Sequence, residues 1–349
     1  MNMANPFNIT FGKEPINKID REVELEEIKE SFSYDNPPSE VYILTGPRGS
    51  GKTVALTTLY EYYSNQKDFI CVELNPEIDM LEQLASKLYD KGKLGKLFLK
   101  PEFNFSFSGL SLTIKGDIPL TNISTLLEKI FEYLNKKKIK ILITVDEVVN
   151  NTYMKIFSHE YQSLIRKNFK VFLIMTGLYE NISNLENEKS LTFLYRAPKI
   201  YLNSLSIRSI TTSYQEIFQI TREEAMKLAK ITNGYAFAYQ LLGYILFKNN
   251  KKDVDQKVYD EFDELLENRV YAKIWKSLSS KEKDILKLVA INKNTNQDII
   301  KELNMSQGSL SVYKKNLERM GIIDTQTRGI MVMRLPRFSE FIKFNIELE

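Results

Sequence analysis

The chain holds one cysteine and one histidine in 349 residues, and that scarcity closes several routes at once. Cys71 cannot form an internal disulfide, which fits a reducing cytoplasm, and a lone Cys71 with a lone His159 cannot assemble a structural zinc site. Long apolar runs are also missing. The most nearly uninterrupted one, Gly234 to Phe247, falls short of the ~20 residues of a membrane-spanning helix and contains Gln240, so it reads as a buried helix. Met1 to Thr10 shows no basic segment followed by an apolar run, so no secretory signal is expected. There is no internal repeat and no low-complexity linker long enough to separate freely moving domains.

What is present describes an ordinary soluble protein. With 43% hydrophobic and 27% charged residues the chain is neither disordered nor fibrous, and its length suggests two or three domains. The formal net charge of +3 is too small to announce a nucleic-acid binder. Its distribution says more, because Tyr271 to Glu349 carries 14 Lys/Arg against 9 Asp/Glu, a net +5, which leaves −2 for residues 1–270. A basic end of this kind points to a polyanion partner or is simply a solvated basic surface.

Short apolar, β-rich runs at Val41 to Leu44, Phe69 to Val72, Ile139 to Val145, Val171 to Met175 and Ile200 to Leu202 read as buried strands. Between Ile123 and Leu134 the apolar residues recur at helical spacing. Alternation of strands and helices implies an α/β fold with a parallel sheet covered on both sides. Phe103, Phe105 and Phe107, then Leu110, Leu112 and Ile114, alternate about Ser108-Gly109, which reads as an inserted hairpin at about 103–114. It could contact a partner or shield the sheet edge. From Ser206 to about Val270 only helical patterns follow, the last with an acidic face of Asp260, Glu261, Asp263, Glu264 and Glu267 that reads as solvated.

Between the first strand and the next helix lies Gly46-Pro47-Arg48-Gly49-Ser50-Gly51-Lys52-Thr53, a P-loop pattern for ATP or a close relative. The glycines let the backbone wrap a phosphate in conformations that a Cβ would obstruct. Lys52 supplies a point charge for the β- and γ-phosphates, Thr53 a hydroxyl for Mg²⁺, and the helix start its dipole. A carboxylate should then stand at the end of a neighbouring buried strand. Ile141 to Val145 runs straight into Asp146 and Glu147, which makes Asp146 the metal-holding acid and Glu147 the group that polarises the attacking water. Adjacent acids favour a hydrolase over a kinase.

The basic end has its own pattern. Ser279-x-x-Glu282 is a capping box opening a helix, Thr295-x-x-Asp298 starts a second, and Ser306 a third that runs to Met320-Gly321. Ile322 to Thr325 and Ile330 to Met333 then flank a turn containing Arg328-Gly329, completing a winged helix-turn-helix. Bound to duplex DNA, such a module would use Gln307, Ser309, Ser311 and Lys315 on the third helix and Arg328 at the wing tip. The same module could instead pack against the nucleotide-binding domain and hold it in one state.

In motif order the chain resembles the AAA+ ATPases, and among them the archaeal-type ATPases and origin-recognition initiators that end in a winged helix, a group related to the STAND signalling switches. The resemblance spans nearly the whole chain and implies an ATPase core over 1–204, a helical lid over 205–270 and a winged helix over 271–349. It also implies that Arg21, in Ile19-Asp20-Arg21-Glu22, lies by the adenine base, and that Thr176, in Met175-Thr176-Gly177, is sensor 1 facing the γ-phosphate or the water. Arg196, in Leu194-Tyr195-Arg196-Ala197-Pro198, would be an arginine finger completing a neighbouring subunit's site. ATP rather than GTP is implied by the resemblance alone. The pattern breaks at Thr232-Asn233-Gly234-Tyr235-Ala236-Phe237, where the group carries a sensor 2 arginine or a Gly-x-Pro and this chain has neither. That departure speaks for slow hydrolysis.

Overall fold

The computed structural model describes residues 4–10, 15–91, 104–108, 111–115, 123–188 and 191–348. Compactness divides the chain into two units. One comprises Glu22–Thr45 and Ala55–Ile200, and the other Met1–Arg21, Gly46–Val54 and Tyr201–Glu349. The phosphate loop, Gly46 to Thr53, is therefore grouped with the second half of the chain.

The first unit carries α1 (Glu22–Ser33), β1 (Val41–Thr45), α2 (Lys52–Ser64, whose first turn belongs to the other unit), β2 (Phe69–Leu74), α3 (Met80–Asp90), β3 (Asn104–Ser108) and β4 (Ser111–Lys115). It continues through α4 (Ile123–Lys136), β5 (Lys140–Val145), α5 (Thr152–Arg166), β6 (Val171–Gly177), α6 (Tyr179–Glu186), α7 (Thr192–Arg196) and β7 (Lys199–Tyr201). The main sheet has the order β2-β5-β6-β1-β7, and the β2–β5, β5–β6 and β1–β6 pairs are parallel. Every residue of β1 and β6 is buried, which is why these strands read as unbroken apolar runs rather than alternating ones. Leu126, Leu127, Ile130, Phe131 and Leu134 form the buried stripe of α4, as their spacing predicts. Each such side chain contributes roughly 1.5–3 kcal/mol by leaving water. The hairpin is present as an antiparallel β3–β4 pair with Phe105 opposite Ile114, while Phe103, Gly109 and Leu110 lie outside the described residues.

The second unit is helical: α8 (Ile207–Phe218), α9 (Arg222–Ile231), α10 (Ala236–Lys248) and α11 (Gln256–Leu266), then a π turn (Glu267–Tyr271) and α12 (Ala272–Ser277). After these come α13 (Ser280–Ala290), α14 (Asn296–Leu303), α15 (Gln307–Arg319), the two-residue strands β8 (Ile323–Asp324) and β9 (Val332–Met333), and α16 (Phe338–Leu348). The run from Gly234 to Phe247 becomes α10, buried on most of its circumference. Its one strongly polar residue is satisfied by the chain's first segment: Gln240 donates to Asn17 O at 2.7 Å and accepts from Asn8 N–H at 3.0 Å. The Ser279–Glu282 capping box forms as expected, and Thr295 and Ser306 cap α14 and α15.

Two features depart from the sequence reading. The antiparallel ladder is shorter than the apolar runs suggest, with only Ile323–Met333 and Asp324–Val332 paired. The reason is a change of partner. Ile330 bridges to Thr295, Asn296 N–H donates to Gly329 O, and Met331 N–H donates to Asn294 O, so this stretch is tied to the start of α14. Beyond the ladder, α16 was not foreseen; it holds Phe338 and Ile342 fully buried, with Phe338 and Phe341 stacked at 5.4 Å. Among the described residues no helix is long and apolar enough to cross a membrane.

Candidate nucleotide site

The chain leaves β1 at Thr45 and enters the loop at Gly46; α2 begins at Lys52. Gly49 and Gly51 sit at φ +76° and +91°, conformations that side chains with a Cβ rarely adopt. Lys52 is 8% exposed, and its Nζ donates to Gly46 O at 3.0 Å and Pro47 O at 2.9 Å. Ser50 N–H closes the loop's turn onto Pro47 O at 3.1 Å. Arg21 Nη2 donates to Ser50 O at 2.9 Å, so the residue expected beside a base is tied to the loop backbone.

The segment Thr232 to Phe237, where the resemblance leads one to expect an arginine, makes a different use of its residues. The Tyr235 hydroxyl donates to Arg48 O at 2.5 Å, and Phe237 N–H donates to Gly49 O at 3.1 Å. Tyr235 caps α10 without a side-chain cap bond, so the loop carbonyl satisfies an N–H that the helix start leaves open. Burial pushes the Tyr235 phenol above its ordinary value despite the Arg48 charge, which keeps the hydroxyl a donor across the neutral range. A Cβ on Gly49 would lie 2.3 Å from Tyr235 Oη, so the glycine is needed for close approach as well as for φ.

The end of the chain reaches the same loop. Gly321, at φ +70° just past α15, lies against the Pro47 ring so closely that a Cβ there would be 2.7 Å from Pro47 Cγ. Arg334, which follows β9, lines a narrow crevice together with Pro47, Ser50, Leu202, Tyr235 and Gly321. Its Nε donates to Ser204 Oγ at 3.3 Å and its carbonyl accepts from Asn233 Nδ2 at 2.8 Å. Sequence reasoning missed Arg334 because no local pattern marks it; only the fold brings a residue 130 positions beyond Ser204 to this crevice. The Asn233-Gly234 pair is the sequence sign of the tight turn made here, with φ of +47° and +74°.

The acids belong to the other unit. In the register of β5, β6 and β1, Val145 is opposite Met175 and Leu44 opposite Thr176, so Asp146 and Thr176 follow at adjacent strand ends. Thr176 is fully buried. Its Oγ1 donates to Asp146 Oδ1 and accepts from Glu147 N–H at 2.9 Å, while its carbonyl accepts from Val148 N–H at 2.8 Å. These bonds hold Glu147 in the left-handed region at φ +52°, which costs a residue with a Cβ about 1–2 kcal/mol, and leave its side chain exposed. Thr176 is thus engaged with the Asp146 carboxylate and the Glu147 backbone. Arg196 ends α7 with an exposed side chain. Of the residues expected to meet DNA, Gln307, Ser311, Lys315 and Arg328 are exposed, whereas Ser309 is half-buried, its N–H capped by Ser306 Oγ at 3.1 Å.

Comparison with known proteins bears on the fold. Residues 19–184 match the family described as an ATPase domain predominantly from Archaea, and residues 268–342 match a domain of unknown function. No curated protein matches. Among solved structures, a Walker-type ATPase from Pyrococcus abyssi superposes with a TM-score of 0.64 at 15% identity, over 93% of this chain and 96% of that one. The ORC2 protein of Aeropyrum pernix, solved as ADPNP–ADP complexes, gives 0.57 at 13% identity over 97% of both chains. Cdc6p from Pyrobaculum aerophilum gives 0.51 at 16%, over 97% and 96%. These likenesses show the fold: it is the one that these solved ATPase, ORC2 and Cdc6p structures share. The similarity of fold runs past the matched ATPase domain into the helical second half, because the superpositions cover more than nine-tenths of this chain.

Proposed function

We propose that the chain is a magnesium-dependent, slowly turning ATPase of initiator type that contacts duplex DNA through its C-terminal module. The observation that carries the reading is the Thr176 hydroxyl bonded to both Asp146 and Glu147 in a chain that also has a buried Lys52 on a glycine loop. Lys52 and the loop bind the phosphates of ATP, and Arg21 steadies the loop backbone. The Thr53 hydroxyl and the Asp146 carboxylate are hard oxygen donors, the chemistry that magnesium prefers. Bound magnesium screens the phosphate charge as it redistributes during transfer. Glu147 polarises the attacking water, and Thr176 holds both acids in position. Arg334 stands in for the missing lid arginine near the loop, its Nε held by the Ser204 hydroxyl. The exposed Arg196 completes the site of a second copy, and the cytoplasm is the expected compartment.

The C-terminal module reads as a winged helix, with α13, α14 and α15 followed by the short ladder. Exposure of Gln307, Ser311, Lys315 and Arg328 supports contact with bases and backbone, Ser309 contributing at the helix start. The test is duplex DNA binding with and without ATP at moderate salt. Affinity that falls steeply with salt supports the reading, and no measurable affinity in either state overturns it.

A second reading makes the C-terminal module an internal latch in a switch whose partner is a protein. The contact of Gly321 with Pro47 favours it. It predicts ATP-dependent proteolytic cleavage near residues 270–280 with no effect of DNA.

A further inference from the structure

A groove of about 550 Å³ lies in the second unit between α11, the π turn and α16. Its floor is aromatic: Tyr271 and Phe341 line it, and Phe344, 56% exposed, stands open beside them. The walls are acidic, with Asp260, Asp263, Glu264, Glu267 and Glu340. Arg337 is the cation in this lining, and its charge is already engaged. Its Nε donates to Asp263 Oδ1 at 2.8 Å, Nη2 pairs with Oδ2 of the same carboxylate, and Nη1 lies 3.8 Å from Glu340 Oε1. The Asp263 hydrogen bonds hold the guanidinium above its ordinary pKa. Arg337 is also held at φ +62°, and α11 ends in a π turn, two local irregularities that concentrate at functional sites.

We infer that this groove docks a basic amphipathic helix of another protein. An apolar face would cover Phe341 and Phe344, and lysines or arginines along its edges would meet Asp260, Glu264 and Glu267. A cleft between two helices accepts a third by the same packing that helix-in-groove recognition uses. Five carboxylates against one paired guanidinium repel a phosphate backbone, so this surface is distinct from any DNA face. Nor does it suit a bare metal ion, since among the described residues no group of three or more His, Cys, Asp or Glu is placed to hold one. The acidic face of α11 is therefore the wall of a groove with an apolar floor.

The test uses the full chain and a synthetic amphipathic peptide with leucines on one face and lysines on the other, beside a twin with glutamates in place of the lysines. Fluorescence anisotropy should show saturable binding of the lysine peptide and at least about tenfold weaker binding of the twin. Asp260→Lys with Glu264→Lys, both at exposed positions, should weaken the lysine peptide by about tenfold, and Phe344→Asp should do the same, with ATP binding unchanged. Unchanged circular dichroism melting shows that these surface variants remain folded. Absence of saturable binding overturns the inference, as does equal affinity for the two peptides or for the variants. Sedimentation that reveals a dimer dissolved by Phe344→Asp also overturns it, because a second copy would then be the occupant.

Discussion

The strand ends that carry the acids and the phosphate loop both hold backbone in positive φ, and they do so by opposite means. At the strand ends the support is local to the sheet: Thr176, on the strand next to β5, bonds Asp146 and Glu147 through one buried hydroxyl. Around the loop the support comes from far along the chain, with Tyr235 and Phe237 from the start of α10 and Gly321 and Arg334 from the C-terminal end. A site held by its own sheet is rigid by construction. A loop held by distant elements is open to being reported on by them, and that asymmetry is what makes a switch a physical possibility in this fold.

Variants of the two regions should separate these roles, and the largest effect belongs to the loop's own charge. Lys52→Ala should lower phosphate release at least about 100-fold, the order seen when one electrostatic stabiliser of a transition state is removed. Next is Thr176→Ala. It strips the partner from the partly buried Glu147 N–H and removes the Asp146 bond, and should cost about 1–3 kcal/mol in denaturant unfolding, with turnover reduced and Thr176→Ser restoring both. If Thr176→Ala changed turnover alone, the hydroxyl would act on the nucleotide rather than on the acids. Gly321→Ala should be milder, about 1–2 kcal/mol, because a Cβ at φ +70° is strained and meets Pro47. Its diagnostic is a change in ATP affinity, which an isolated C-terminal module would not show. The smallest effect is Tyr235→Phe, which removes one hydrogen bond to Arg48 O and should cost about 1 kcal/mol, read as a lower melting temperature with turnover near wild type.

The same contrast explains what the sequence disclosed. The sheet, its buried strands and the Asp146-Glu147 pair were legible because apolar runs, strand length and adjacent acids are written in consecutive residues. The phosphate loop was legible for the same reason. Thr176 is singled out in the sequence for a contact with the nucleotide or water, whereas its bonds to Asp146 and Glu147 depend on the strand order β2-β5-β6-β1-β7, which no spacing along the chain encodes. The segment Thr232 to Phe237 showed only the lack of an arginine. That Tyr235 would bond a loop carbonyl, or that Arg334 would line the crevice beside Ser50, follows from packing across more than a hundred residues. The acidic face of α11 illustrates the limit from the other side: charge periodicity marks a surface, and only the position of α16 gives it an aromatic floor.

The most direct measurement is single-turnover phosphate release with magnesium and ATP by the full chain and by Glu147→Gln. Slow release by the wild type and loss of about 100-fold or more in the variant are expected, with ATP affinity retained. Equal release by the two chains, or failure of the wild type to bind ATP at all, would contradict it.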